Sequence, residues 1–201
     1  KPANLYQPML YTLSQGGKRL RPRLVLMATE AFDGDMEKAF YPAAAFEMLH
    51  NFTLIHDDIM DDAPIRRGKP TVYKQWNGNI AILSGDALAN MALIEMLDTP
   101  MEPENVVKLT KLFAQTSVEI CEGQQWDMEF ETRSDVTVNE YVEMIRLKTS
   151  VLLAAALKIG AYLANSPEED ANQLYEFGQK MGLAFQLQDD LLDAFGDTAT
   201  F

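Results

Sequence analysis

The chain has 201 residues, 47% hydrophobic and 23% charged, which suits a single folded domain with a sizeable core. A net charge of -13 excludes a protein built to grip phosphate backbones, so no nucleic acid partner is expected. Cys121 is the only cysteine, so no intrachain disulfide forms, and no apolar run is read as a membrane span of about 20 residues; a cytoplasmic protein is expected.

Apolar spacing near the helical period predicts an all-α fold with helices over roughly 4–15, 22–32, 42–61, 79–97, 103–131, 138–163 and 168–195. No stretch alternates as a strand would. The start, Lys1-Pro2-Ala3-Asn4, lacks both an initiator Met and the apolar core of a signal peptide. Between the first two helices lies Gly16-Gly17-Lys18-Arg19-Leu20-Arg21-Pro22. Glycines, three cations and a helix-opening proline make a suitable cradle for phosphate oxygens.

The third helix carries Glu47-Met48-Leu49-His50, the Glu-x-x-His pattern of di-iron bundles. The second copy is missing, because the only other histidine, His56, follows Thr53 where a Glu is needed. The same helix ends on Asp57-Asp58-Ile59-Met60-Asp61, and Arg66, Arg67 and Lys69 come soon after. The segments 79–97 and 150–163 are apolar around most of their circumference and are expected inside the bundle, with Met48, Met91, Met96, Met144 and Met181 as core filler. Ser166 and Pro167 open the last helix, with Glu168, Glu169 and Asp170 matched to its dipole. Near its end, Asp189-Asp190-Leu191-Leu192-Asp193 repeats the spacing of the first cluster.

One helical turn separates Asp57 from Asp61 and Asp189 from Asp193, so each motif presents stacked carboxylates that repel one another. No Lys or Arg stands within four residues to relieve either cluster, so a cation from elsewhere is expected. Hard oxygen donors without thiols select Mg²⁺, Mn²⁺ or Ca²⁺. An EF-hand is excluded by the missing Gly and Glu of its loop. Mg²⁺ takes one or two carboxylates and completes its shell with water and substrate phosphates, which makes two such clusters a diphosphate site.

Taken in order, GGKRLRP at 16–22, HNFTLIHDDIMD at 50–61, RRGKPT at 66–71, GD at 85–86, GQQWD at 123–127, KTS at 148–150 and FQLQDDLLDAFGD at 185–197 resemble the trans-type polyprenyl diphosphate synthases. The resemblance spans 1–201 as one domain, expected to be incomplete at both ends, and implies that family members continue after Gly196-Asp197 with a lysine-bearing loop. It implies a helical bundle around a central cavity, in a homodimer, that joins isopentenyl diphosphate to an allylic diphosphate. By the same resemblance Asp57, Asp58, Asp61, Asp189, Asp190 and Asp193 bind Mg²⁺, three ions with substrate present, or Mn²⁺ in its place. Lys18, Arg21, His50 and Arg67 resemble the isopentenyl diphosphate site, and Arg66, Lys148, Thr149 and Gln186 the allylic site. Gln124 and Asp127 match a further motif bordering the cavity. Phe52 and Thr53, just before the first motif, resemble the floor of short-chain members, which implies a C20 product with C15 second. A terpene cyclase of the same fold, or a non-catalytic subunit of a hetero-oligomeric synthase, are the alternatives.

Overall fold

In a computed structural model, which describes residues 2–195 apart from the side chain of Asp193, the chain folds as a helical bundle. The elements are α1 (Ala3–Ser14), α2 (Leu20–Ala31), α3 (Met36–Met60), β1 (Ile65–Arg66), β2 (Lys69–Pro70), α4 (Val72–Gln75), α5 (Gly78–Leu97), α6 (Pro103–Phe130), α7 (Val138–Ile145), a π-helical turn (Arg146–Ser150), α8 (Val151–Leu163) and α9 (Glu168–Phe195).

The core is built on α8, whose run of Val, Leu, Ala and Ile is buried on nearly every side. Helices α2, α3, α6 and α9 pack around it. Phe46 from α3 meets Phe113 from α6 edge to face, ring centres 5.2 Å apart, in the middle of this cluster. A second cluster around Met9, Ile55, Val72 and Leu88 ties α1 and α4 to the outer side of α3 and α5.

Four expectations change. The third helix begins at Met36 rather than 42, because the Asp35 carboxylate caps it by accepting from the Glu37 amide at 3.0 Å, and Pro42 sits nearly two turns inside. The helix expected over 138–163 is interrupted by the π turn. Residues 65–70, where no strand was expected, form a two-stranded antiparallel ribbon, with Arg67 (φ 53) and Gly68 (φ 75) as its left-handed tip. Finally, α5 is not buried all round. Ala81, Ser84, Leu88, Ala92 and Met96 face the bundle, while Ile82, Leu83, Met91, Ile94 and Leu97 are exposed. Met91 is therefore no core residue, and α5 is, by length and composition, the one helix among the described residues apolar enough to cross a membrane.

Candidate active site

A cavity of about 550 Å³ opens between α2, α3, α6, the π turn and α9. Its basic rim comes from two places in the chain. Lys18 and Arg21 reach it from the start of α2, and Arg66 and Arg67 from the β ribbon, whose left-handed tip turns both arginines toward the same opening. Arg19 lies between Lys18 and Arg21 but is engaged by the protein. Its guanidinium pairs with Glu47 and donates to the carbonyls of Leu13 (2.7 Å) and Gln15 (2.8 Å). Glu47 also accepts from Asn51 at 2.9 Å. Glu47 thus belongs to an anchor that fixes the loop before α2, and the di-iron pattern has no place in the fold.

Arg21 is deeply buried. Burial lowers its pKa to about 10, with Glu47 pulling the other way, so it stays a cation at neutral pH. Its Nη1 lies 3.2 Å from His50 Nε2. Burial first, then the charges of Arg21, Arg67, Arg66 and Arg19, hold His50 well below the usual imidazole pKa. A guanidinium only donates, so neutral His50 accepts at Nε2 and carries its proton on Nδ1.

Across the cavity stand Asp57 from α3 and Asp189 from α9, one residue from each repeated motif. Burial raises the Asp57 pKa to about 6, and nearby Lys148 only partly offsets it. Its neighbours in the motifs are placed differently. Asp58 is 4% exposed, off the cavity wall, and accepts from Arg66 Nε at 2.6 Å. The relief that sequence proximity did not offer is supplied by the ribbon folding back. Asp61 is an exposed residue at the end of α3. Asp190 accepts from the Tyr141 hydroxyl and from Gln186 Nε2 (2.8 Å), and lines a smaller pocket of about 240 Å³ beside the main one. The side chain of Asp193 lies outside the described residues.

The π turn delivers Lys148 and Thr149. A turn with one extra residue widens the helix, and two glycines accept the bulge: a Cβ on Gly123 of α6 would lie 2.3 Å from the Lys148 nitrogen, and one on Gly182 of α9 2.5 Å from Ser150 Cα. Lys148 Nζ pairs with Asp127 at 2.5 Å, and Thr149 Oγ1 donates to Gln186 Oε1 at 3.0 Å. Gln124 lines the main cavity, 7% exposed, with neither amide atom hydrogen-bonded by any described residue. Leaving such a buried group unpaired costs about 1–3 kcal/mol. Tyr141 was not singled out as a site residue from the sequence, and Glu47 only as part of the di-iron pattern. Tyr141 stands seven residues before Lys148, two turns of helix, and that spacing is its only sequence signal.

Thr53, Leu54, Ile120, Leu152, Leu153 and Phe185 form the apolar wall. Phe52 is not on it. It points toward α5 and meets the His56 ring edge to face at 4.7 Å, and His56 Nε2 lies 3.2 Å from the Ile82 carbonyl.

Among the described residues no three His, Cys, Asp or Glu side chains converge as a self-sufficient metal site. The donor set nevertheless fits Mg²⁺, because buried Asp57 lacks a full cationic partner and Mg²⁺ draws most of its shell from water and phosphate.

The family model described as polyprenyl synthetase matches residues 2–201. The chain is 47% identical to the geranylgeranyl diphosphate synthase of Methanosarcina mazei, over 96% of this chain and 60% of that protein. It is 44% identical to the geranylfarnesyl diphosphate synthase of Natronomonas pharaonis, over 96% and 61%. The crystal structure of geranylgeranyl pyrophosphate synthetase from Pyrococcus horikoshii superposes with a TM-score of 0.95 at 43% identity, over 99% of this chain and 61% of that one. The chain thus spans about 60% of the length of the relatives it matches.

Proposed function

The chain belongs to the polyprenyl synthetase family, and from that premise we propose that it condenses isopentenyl diphosphate with an allylic diphosphate to give a short-chain prenyl diphosphate, C20 first and C15 second. One observation carries the reading: a single cavity receives Asp57 and Asp189 together with Lys18, Arg21, Arg66, Arg67 and Lys148. Apart from the paired Arg19 and Glu47, two acidic groups and five cations surround one apolar-walled space, which suits two diphosphates, one held by cations alone and one that would also take Mg²⁺ at the aspartates. A terpene cyclase would have no use for the second set of cations around Arg21.

In this reading Asp57, Asp61 and Asp189, with Asp58, Asp190 and Asp193, would hold three Mg²⁺ ions. Bound Mg²⁺ neutralises charge on the departing diphosphate. Lys18, Arg21, Arg67 and neutral His50 hold isopentenyl diphosphate, and a neutral imidazole can accept from Arg21 without adding to the crowd of cations. Arg66, Lys148, Thr149 and Gln186 hold the allylic diphosphate. Lys148, released from Asp127, places a positive charge where negative charge grows as the allylic C–O bond breaks. The electron pair leaves with diphosphate, the alkene of isopentenyl diphosphate attacks the allylic carbon, and a proton passes from the adduct to the released diphosphate. Leu152, Leu153, Ile120 and Phe185 keep water from the cation. The exposed apolar face of α5, with Ile82, Leu83, Met91, Ile94 and Leu97, supports a homodimer.

The test is incubation with Mg²⁺, isopentenyl diphosphate and each of dimethylallyl, geranyl and farnesyl diphosphate. Diphosphate release with a C20 product is expected. No release with any of the three would defeat the reading, and cyclic hydrocarbon made without isopentenyl consumption would favour the cyclase.

A further inference from the structure

We propose that Gln124 is a further catalytic residue, whose side-chain amide contacts the allylic diphosphate at the breaking C–O bond, Oε1 facing the carbon that turns cationic and Nε2 donating to a diphosphate oxygen. The inference rests on the synthase reading above.

The polar side chains on this wall of the cavity are nearly all satisfied within the protein. Gln186 accepts from Thr149 and donates to Asp190. Asp127, three residues along α6 from Gln124, holds Lys148. Gln124 alone among these has both ends free with respect to the described residues, although it is 7% exposed and lines the cavity. The preceding residue is Gly123, where α6 is pressed so close to the π turn that even a Cβ would lie 2.3 Å from the Lys148 nitrogen. Gln124 thus lines the same cavity as Lys148 and Thr149, with no hydrogen-bond partner among the described residues.

An amide offers one acceptor and two donors. The other charged groups around the cavity offer one kind only: Lys and Arg donate, and ionised Asp accepts. A ligand that satisfies both ends must bring an anionic oxygen for Nε2 and an electron-poor centre for Oε1. An ionising allylic diphosphate has both, next to each other. In that step the C–O bond breaks heterolytically, the electron pair goes to the diphosphate oxygen, and no proton or covalent bond passes to Gln124. An amide oxygen also suits the place better than a carboxylate. Its dipole stabilises positive charge, yet it is a weaker nucleophile than the carboxylates nearby and is less prone to capture the cation.

The experiment uses Gln124→Met and Gln124→Glu in the full chain, with steady-state kinetics on the allylic diphosphate and isopentenyl diphosphate and thermal melting of each protein. Gln124→Met is expected to lower kcat about tenfold or more, as loss of one preorganised polar contact does. Its KM for isopentenyl diphosphate should stay within about twofold of wild type. Its melting temperature should equal or exceed wild type, because an apolar side chain of similar length removes an unpaired buried amide. Gln124→Glu, nearly the same shape, should lose kcat to a similar degree through repulsion of the diphosphate. Wild-type kcat in either variant would overturn the assignment. So would a fall in melting temperature that tracks the loss of kcat in both, the mark of a packing role. A wild-type protein that yields no prenyl product from any allylic diphosphate would sink the synthase reading itself, and this inference with it.

Discussion

At Asp57 the protein holds a carboxylate where burial disfavours its charge, which gives a pH dependence with a definite sign. Its pKa is about 6 in the folded protein against 3.8 for the ordinary group. Between those values the native state keeps a proton that the unfolded chain has released, so stability falls as pH rises from about 4 to 6 and is flat above. The penalty is on the order of 2–3 kcal/mol at neutral pH. Metal-free Asp57→Asn should therefore be more stable than wild type in urea at pH 7.5, and the gain should vanish below about pH 4. The same substitution should cost about a hundredfold or more in turnover, because in the proposed reading this disfavoured charge would hold the cation. A destabilised variant at pH 7.5 would contradict the electrostatic account. Asp58 answers to a different partner: removing Arg66 leaves its buried carboxylate unpaired, a loss of roughly 3–5 kcal/mol, so Arg66→Ala should unfold at markedly lower urea than wild type.

Among the elements, the π turn is where local sequence and local structure part company. Nothing in Arg146-Leu147-Lys148-Thr149-Ser150 distinguishes it from the helices on either side. The extra residue is accommodated by Gly123 and Gly182, which belong to α6 and α9, and a local period cannot report a contact made so far away in the chain. Gly123→Ala should displace the turn, lower the melting temperature and lose most activity. Gly78→Ala, where a Cβ meets nothing within 4 Å, should leave both unchanged. Equal effects from the two would mean that helix propensity, not the clasp, is at work. By contrast the long helices were legible, because a 3.6-residue apolar period reads directly as α2, α6 and α9. The ribbon at 65–70 was too short to show a period, yet it carries both Arg66 and Arg67 to the cavity. Phe52 is a case between the two. Its sequence position before Asp57 marked it as a tunnel floor, and the structure sets it between α3 and α5, off the cavity wall and against His56. Phe52→Ala should open that gap and lengthen the products seen by chromatography, and products of unchanged length would remove Phe52 from the floor.

At the scale of the whole molecule, the aspartate and arginine motifs were readable because chemistry fixes their residue types, whereas the role of α5 was not, because hydropathy says that a face is covered without saying by what. The helix looked like an inner one, but Leu83 is 60% and Ile94 57% exposed, and on neighbouring α6 Val118 is 58% exposed. Such a helix can be covered by lipid or by protein. Asp86 lies in the middle of its exposed side, its own side chain 57% exposed. A carboxylate at the centre of a membrane-spanning helix costs about 2.5–3.5 kcal/mol, while at a protein interface it can sit at the rim or find a donor. Lipid is therefore the poorer cover, and this apolar face suits a second copy of itself. A stable interface of this kind buries about 1,200–2,000 Å² in total, an area that two long helices per subunit can supply. Leu83→Glu combined with Ile94→Glu places four like charges in the seam of such a dimer. Light scattering on the eluting protein should then give twice the chain mass for wild type and the single chain mass for the double variant. Leu10→Glu, on α1 and 65% exposed, should leave the dimer intact. A monomeric wild type, or a double variant that keeps the dimer mass, would take α5 out of the interface.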